Sequence, residues 1–369
     1  MADLFDYLLW RGDLTFSQLP PTAVDALIFS ALAYIRFGGS VESQPDTPVG
    51  LREAAEDFFA LEDRDDRIRT KNDLTLLLMA AKSRRFGAAQ LYQYRDILEP
   101  ENETQFAAVT FLLDDGSAFL AFRGTDYSLI GWKEDFNMSF QDTVPAQRLA
   151  LAYTREVASK QLLPLRLGGH SKGGNIAMFA AIKADPVIRQ RILGVYNNDG
   201  PGFGKFLMED AAYREMVPRL HTFVPQSSVI GMLLEHEEPY VIIKSKQVGL
   251  LQHEIYSWEL EGPRFVLMEE ITAGSHMLNL TIKSWLSDMS PADRNQVVDS
   301  LFDLLSAGNV ESAKDIIHPR NIRNYFKMLS QDEQMRKILS GELLSFIEAA
   351  VRTQKQLTDP KLPKLEAPD

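Results

Sequence analysis

A serine flanked by small residues is the strongest chemical signal in the chain. It lies in the segment 169–174, Gly-His-Ser-Lys-Gly-Gly, between an apolar stretch at 162–168 and an alanine-rich stretch at 173–184. In a nucleophile elbow the serine occupies a sharp, strained turn from a strand to a helix, so its neighbours must be small. The N–H groups at the start of that helix then face the reacting oxygen. The segment therefore predicts that Ser171 is a nucleophile.

The elements that must position this serine follow an alternating order. A hairpin is predicted around the turn Asp-Asp-Gly at 114–116, and strands and helices alternate after it. Strands are predicted at 105–113, 118–122, 162–168, 192–198, 220–224 and 240–244. Helices are predicted at 24–35, 74–83, 147–160 and 173–184, with shorter ones ending near 216 and 235. Alternation of this kind predicts a mostly parallel central sheet with flanking helices. Together with the predicted elbow, it indicates an α/β-hydrolase fold.

The pattern changes to helices alone beyond Ser275. We therefore predict a hydrolase domain at 1–277, a helical extension at 278–355 and a disordered tail at 356–369. The helices of the extension are predicted at 278–286, 292–305, 310–317 and 333–351.

A serine nucleophile needs a general base, and histidine is the usual one. Of the six histidines, His253 lies in the loop after the predicted strand at 240–244, where this fold carries its base. The alternative is that His253 is an ordinary histidine of a surface loop. Among the others, His170 is predicted to point away from Ser171, His221 to be structural and His236 to lie at the surface. His276 and His318 belong to the predicted helical extension.

Composition excludes several classes of function. The chain has 369 residues, 45% of them hydrophobic, a formal net charge of −12 and no cysteine. The acidic charge disfavours nucleic acid as a partner, and no apolar run approaches the roughly 20 residues that span a bilayer. No signal peptide and no cluster with metal-ligand spacing is visible, so we predict a cytoplasmic protein without cofactor, metal or integral membrane association.

Several motifs resemble known families. The segment 122–125, Phe-Arg-Gly-Thr, precedes Trp-Lys-Glu-Asp at 132–135 and the elbow, an order that resembles the class 3 lipases. Tyr-Leu-Leu-Trp-Arg-Gly-Asp-Leu-Thr-Phe at 7–16 and Asn-Asp-Gly-Pro-Gly-Phe at 198–203 resemble the Mbeg1-like family, which is related to those lipases. This second resemblance covers about residues 5–260. It implies the α/β-hydrolase fold and hydrolysis of an acyl ester.

The resemblance also implies an oxyanion hole. Its donors would be the residue after Arg-Gly, here Thr125, and the backbone N–H of Lys172, directly after the nucleophile. We expect the Lys172 side chain to lie in solvent, with contact to an anionic substrate as the alternative. We expect Arg123 to form a scaffold ion pair with Asp135 or Asp126.

The acid of the triad is the weakest part of the resemblance. Class 3 lipases place it in an Asp-x-Val-Pro context, and the matching stretch here, 223–231, contains no carboxylate. Asp199, at the carboxyl end of the predicted strand 192–198, preserves the order Ser–acid–His. Asp199 could instead be a turn residue or helix cap, and Glu254 and Glu235 are further candidates.

The sequence thus predicts a serine ester hydrolase acting on acyl esters, including lipid-derived ones. Little room exists between Asp142 and Gln147 for a long apolar lid, so we expect soluble esters of short or medium chain. One alternative is a catalytically impaired binding or regulatory protein on the same scaffold. Another is a thioesterase or acyltransferase that uses the same serine.

Overall fold

The computed structural model describes residues 1–39, 41, 46–126, 129–138, 141–290, 293–294, 296–300 and 319–358. The strands of these residues are β1 Val49–Gly50, β2 Gln90–Glu99, β3 Thr104–Leu112, β4 Ala118–Phe122, β5 Leu165–His170, β6 Ile192–Asn198, β7 Leu220–Pro225, β8 Tyr240–Ile243, β9 Leu260–Glu261 and β10 Arg264–Phe265. The helices are α1 Leu4–Arg11, α2 Ala23–Leu32, α3 Leu51–Ala60, α4 Lys71–Lys82, α5 Leu129–Asn137, α6 Pro145–Lys160, α7 Lys172–Lys183, α8 Pro186–Arg189, α9 Lys205–Met208, α10 Ala211–Met216, α11 Ala273–Ser287, α12 Pro319–Gln331 and α13 Glu333–Thr358.

A central sheet carries the candidate site. In the described part of the chain its strands lie in the order β1 to β8, following the sequence. The pairs from β1 to β4 are antiparallel, and those from β4 to β8 are parallel. Parallel neighbours require crossover connections, which α6, α7 and the α9–α10 segment provide. The predicted α/β fold with a mostly parallel sheet is therefore confirmed.

The sheet is covered on both faces. Alternate residues of a strand point to opposite faces. In β4, Phe119 packs in one hydrophobic cluster with α2, whereas Leu120 packs in a second cluster with α6 and α7. Helix α2 is buried along its length, as the sequence predicted, because it lies against β4 and β5. The sheet is therefore packed between two apolar layers, one on each face, which hold its strands in place.

The predicted hairpin is present, but the strand before it was missed. Strands β3 and β4 pair around a turn in which Gly116 has a φ of 78°, as the Asp-Asp-Gly sequence requires. Strand β2 pairs with β3 over its length, with a register shift between Tyr92 and Arg95. Gln93, at this irregularity, has a φ of 55°. The bulge interrupts the alternation of apolar and polar residues from which a strand is predicted.

The C-terminal helices begin earlier and extend further than predicted. Helix α11 starts at Ala273, and α13 continues to Thr358, so residues 356–358 are helical rather than part of a tail. The rings of Trp285 in α11 and Phe346 in α13 meet edge to face at 5.4 Å. The predicted helix at 310–317, residues 301–305 of the predicted helix at 292–305, and residues 359–369 lie outside the described residues. None of the described helices is both long and apolar enough to cross a membrane.

Candidate active site

Ser171 is the single residue between β5 and α7. Its backbone has φ 59° and ψ −133°, a strained conformation for a residue that carries a side chain. The Ser171 N–H donates to the carbonyl of Asn198 at 2.9 Å, which attaches the turn to the neighbouring strand β6. The residue is 9% exposed, at the carboxyl end of the parallel strands. This is the geometry of a nucleophile elbow, in the place where the sequence predicted one.

The glycines around Ser171 are required by close backbone contacts. A Cβ on Gly169 would lie 2.2 Å from the carbonyl carbon of Gly173, and one on Gly173 would lie 2.2 Å from the carbonyl oxygen of Phe122. A Cβ on Gly174 would lie 2.1 Å from the Asn197 side chain of β6. The predicted reasons for these glycines, a tight elbow and a close approach of helix to sheet, agree with the structure.

Gly124 brings a second backbone segment against the elbow. A Cβ at this position would lie 2.4 Å from the carbonyl oxygen of His170 and 3.2 Å from the Cβ of Ser171. The Arg-Gly-Thr segment at 123–125 therefore ends directly beside Ser171. Thr125, the predicted oxyanion residue, directly follows Gly124 in the chain and is therefore one residue from this contact.

His253 and Asp199 are brought together although 54 positions separate them. The Nδ1 atom of His253 lies 2.6 Å from Oδ2 of Asp199. Asp199 follows β6 directly, is fully buried and has a φ of 55°, and its N–H donates to the carbonyl of Phe223 on β7. The carboxylate thus faces the loop that carries the predicted base.

The other two carboxylate candidates have different partners. Glu254 accepts from the guanidinium of Arg69 at 2.7 Å, and Glu235 pairs with Lys283 at 3.1 Å. Of the three acids that the sequence proposed, Asp199 is the one that contacts His253.

His170 supports the backbone of His253. Its Nε2 atom lies 2.8 Å from the carbonyl oxygen of His253, and the two rings are 4.4 Å apart. A carbonyl oxygen only accepts, so Nε2 carries the proton and the hydroxyl of Tyr34 donates to Nδ1 at 2.9 Å. Burial holds the pKa of His170 well below its usual value, which keeps the ring neutral. The sequence predicted only that this ring would point away from Ser171, and its contact with the His253 backbone was not foreseen.

The hydroxyl of Thr125 is already engaged. It donates to Oδ2 of Asp135 at 2.5 Å. Burial raises the pKa of Asp135 to about 6, and Oδ1 of the same carboxyl has no hydrogen-bond partner. The Thr125 side chain is therefore fixed by Asp135 of the Trp-Lys-Glu-Asp segment, which leaves the Thr125 backbone N–H as the group to consider for an oxyanion.

The side chain of Lys172 does not lie in solvent, and it does not reach toward a substrate. Its Nζ is buried and donates to Oε2 of Glu134 and to both oxygens of Gln105, each at 2.8 Å. Glu134 also accepts from the N–H of Ala146 at the start of α6. Both sequence expectations for this side chain are wrong, because α5 brings a buried carboxylate to the first turn of α7. The Lys172 backbone N–H remains at that first turn, where helical N–H groups have no intrahelical acceptor.

Arg123 forms a scaffold ion pair, but with a different acid from those predicted. Its guanidinium binds both carboxylate oxygens of Asp96 on β2, at 3.0 and 2.5 Å. Asp126 instead pairs with Arg36 at 2.6 Å. The sequence could not indicate Asp96, because strand β2 had not been predicted.

His236 is likewise not the surface residue that its glutamate neighbours suggested. Its Nδ1 lies 2.8 Å from the buried carboxylate of Glu238, and its Nε2 lies 2.8 Å from the carbonyl oxygen of Gly231. Glu238 also accepts from the hydroxyls of Thr222 and Tyr213. This buried network braces the loop that follows β7.

A cavity of about 240 Å³ lies beside the first turn of α7. Neither Ser171 nor His253 lines it, but Asn175, one helical turn or roughly 6 Å beyond Ser171, does. Its lining combines apolar and polar side chains: Met138, Phe203, Phe206, Leu207 and Leu234, with Gln141, Asp142, Gln147, Asn175 and Arg294. The cavity is smaller than the 300–1,000 Å³ that is usual for drug-sized ligands.

The parallel sheet, its covering helices and the strained serine turn define a protein of the α/β-hydrolase fold. More narrowly, the chain belongs to the Mbeg1-like family, whose model matches residues 80–303. No curated protein matches the sequence significantly. Among solved structures, a native Rhizomucor miehei lipase propeptide complex is similar at 11% sequence identity and a TM-score of 0.34, over 66% of this chain and 81% of that chain.

Proposed function

We propose that this protein is a serine hydrolase of carboxylic acyl esters. Ser171 is the nucleophile, His253 the general base and then the general acid, and Asp199 the acid that orients His253. The single observation that carries the proposal is the 2.6 Å contact between His253 Nδ1 and Asp199 Oδ2. Asp199 directly follows β6, which pairs with the strand that ends at the strained turn of Ser171.

The contact supports an assignment of the protons in the proposed triad. A buried carboxylate accepts the Nδ1–H of His253, which leaves Nε2 free to accept a proton from the Ser171 hydroxyl. The serine oxygen then forms a bond to the ester carbonyl carbon while His253 takes its proton. Collapse of the tetrahedral intermediate breaks the bond to the alcohol, which receives that proton from Nε2. Water repeats both steps on the acyl-enzyme and releases the carboxylic acid.

The oxyanion of each tetrahedral intermediate needs fixed donors. We assign these to the backbone N–H groups of Thr125 and Lys172. The close packing at Gly124 supports the first assignment, and the position of Lys172 at the start of α7 supports the second. Since the side chains of both residues are bound to buried carboxylates, neither side chain has to recognise the substrate.

The alternative is a binding or regulatory protein that has lost catalytic activity. The argument for this alternative was that the stretch 223–231 lacks the carboxylate expected there. The pairing of Asp199 with His253 favours catalysis over that alternative, because it supplies an acid from another strand.

The short stretch between Asp142 and Gln147 leaves little room for a long apolar lid, which supports soluble esters of short or medium chain as substrates. We expect hydrolysis of p-nitrophenyl acetate or butyrate in true solution. Activity that appears only above the aggregation limit of the ester would contradict this part of the proposal.

The central experiment is labelling with a fluorophosphonate probe, which reacts with an activated serine. The wild-type protein should be labelled, and the Ser171→Ala variant should not. The matched control is Ser159→Ala, which removes an exposed hydroxyl from α6 and should leave labelling unchanged. A folded wild-type protein that resists the probe, or a labelled Ser171→Ala variant, would overturn the proposal.

A further inference from the structure

Ser228 lies in the loop after β7, within the stretch 223–231 that lacks the expected lipase carboxylate. Its hydroxyl oxygen is 2.5 Å from Oδ1 of Asp199, the carboxylate oxygen that His253 does not use. Ser228 is 2% exposed and Asp199 is fully buried, so solvent does not compete for this contact. The loop that lacks the acid therefore contacts the acid supplied by the neighbouring strand.

The direction of this hydrogen bond is fixed by a third group. The backbone N–H of Gly231 donates to the Ser228 hydroxyl oxygen at 3.0 Å, which occupies the hydroxyl as an acceptor. The Ser228 proton is then directed at the Asp199 carboxylate. A Cβ on Gly231 would lie 2.2 Å from Oδ1 of Asp199, so the loop backbone itself packs against the carboxylate.

We propose that Ser228 is a positioning residue of the active site. It holds Asp199 in the orientation in which Oδ2 accepts from His253, and it compensates the charge on Oδ1. This inference rests on the proposed function, since it assumes that Asp199 orients the base. In this proposal the stretch 223–231 does not supply the acid, but holds the carboxylate of Asp199, which follows β6.

The start of helix α11 holds the same loop from the other side. The hydroxyl of Ser275, in the first turn of α11, donates to the carbonyl oxygen of Ser228. The N–H of Thr272, the N-cap of α11, donates to the carbonyl of Gln226 at 2.7 Å. The start of α11 thus fixes the backbone from which Ser228 reaches Asp199.

The test compares Ser228→Ala with Ser227→Ala. Ser227 is adjacent in sequence, but its hydroxyl contacts Thr272 rather than Asp199, so it is a matched control. We expect Ser228→Ala to lower kcat for a soluble p-nitrophenyl ester about ten- to a hundred-fold with little change in KM, because a misplaced base slows chemistry more than binding. Ser227→Ala should stay within about two-fold of wild type by the same reasoning.

A second measurement does not depend on catalysis. The proton between Nδ1 of His253 and Asp199 should give a downfield signal in the proton NMR spectrum, which Asp199→Asn removes. Ser228→Ala should shift this signal, and Ser227→Ala should not. Ser228→Cys fills similar space with a weaker donor and should produce a smaller shift, which keeps the test available if the alanine variant fails to fold.

The outcomes separate the two proposals. If wild type hydrolyses the ester but Ser228→Ala matches it in kcat and in the NMR signal, the positioning role is wrong and the proposed function stands. If wild type neither hydrolyses esters nor reacts with the probe, the proposed function fails. The NMR signal then still decides whether Ser228 acts on the Asp199–His253 pair.

Discussion

Ser171 and Asp199 occupy equivalent positions on adjacent parallel strands. Each is the first residue after its strand, and each has a positive φ, 59° for Ser171 and 55° for Asp199. The last strand residues before them, His170 and Asn198, are register partners in the sheet. Two of the three side chains that the proposed mechanism requires therefore leave the sheet side by side, from two strained backbone positions.

Replacing Asp199 by asparagine should remove most of the catalysis. The amide cannot accept the Nδ1–H in the same way and favours the wrong tautomer of His253, so we expect kcat to fall by about 10³–10⁴. Hydrolysis of a soluble ester measures this loss. The Glu254→Gln and Glu235→Gln variants serve as controls and should retain most of the activity, since these acids bind Arg69 and Lys283. A larger loss in either control would assign the acid differently.

Replacing Lys172 by methionine should affect stability more than chemistry. The change leaves the carboxylate of Glu134 buried without its cation, which typically costs about 3–5 kcal/mol. Urea unfolding measures this loss, and the double variant Lys172→Met/Glu134→Gln should recover much of it. The exposed pair of Lys337 and Glu333 provides a control, because Lys337→Met should change stability little.

The same Lys172→Met variant tests whether the Lys172 side chain takes part in catalysis. Its backbone N–H is retained, so the folded fraction should keep its kcat to within a few-fold. A selective loss of activity toward anionic esters would instead indicate that the ammonium group reaches the substrate.

Replacing Gly124 by alanine should disrupt the elbow. The new methyl group would lie 2.4 Å from the carbonyl oxygen of His170, and overpacking of this kind costs about 1–3 kcal/mol or more. We expect lower stability together with lost ester hydrolysis. An added Cβ on Gly274, in the first turn of α11, would have no atom within 4 Å apart from its chain neighbours and the backbone of its own helix. Gly274→Ala should therefore raise the free energy of unfolding, by up to about 1 kcal/mol.

Asp135 should make stability depend on pH. Because burial raises its pKa from 3.8 to about 6, the folded protein binds this proton more tightly than the unfolded chain does. The tighter binding of this proton in the folded state stabilises the protein fully below about pH 4, and this stabilisation is lost as the pH rises through 6. Relative to the wild type, Asp135→Asn should therefore gain about 1–3 kcal/mol between pH 4 and 7. Urea unfolding of both proteins across this range measures the difference, and a difference that does not vary with pH would contradict the prediction.

Local sequence was sufficient to predict the alternation of strands and helices after the hairpin, and the strand-to-helix turn at Ser171. Strand β6 was predicted at its observed bounds, and β4 likewise, because compact apolar runs bounded by turn residues are visible in the sequence. Strand β2 was not predicted, because its bulge at Gln93 breaks the period on which such predictions depend. The family resemblance also came from contiguous motifs, and the match at 80–303 confirms it.

The serine, its glycines and the α/β alternation were determined by the sequence alone, because the backbone needs of a strand-to-helix turn fall within a few neighbouring residues. The partners of side chains were decided only by the tertiary structure. Asp199 contacts His253 and Ser228, and Lys172 reaches Glu134, across separations of 29 to 54 positions. Such partners depend on which strands and helices are neighbours and on the register between them, so the segment without a carboxylate could be recognised as the support of Asp199 only after folding.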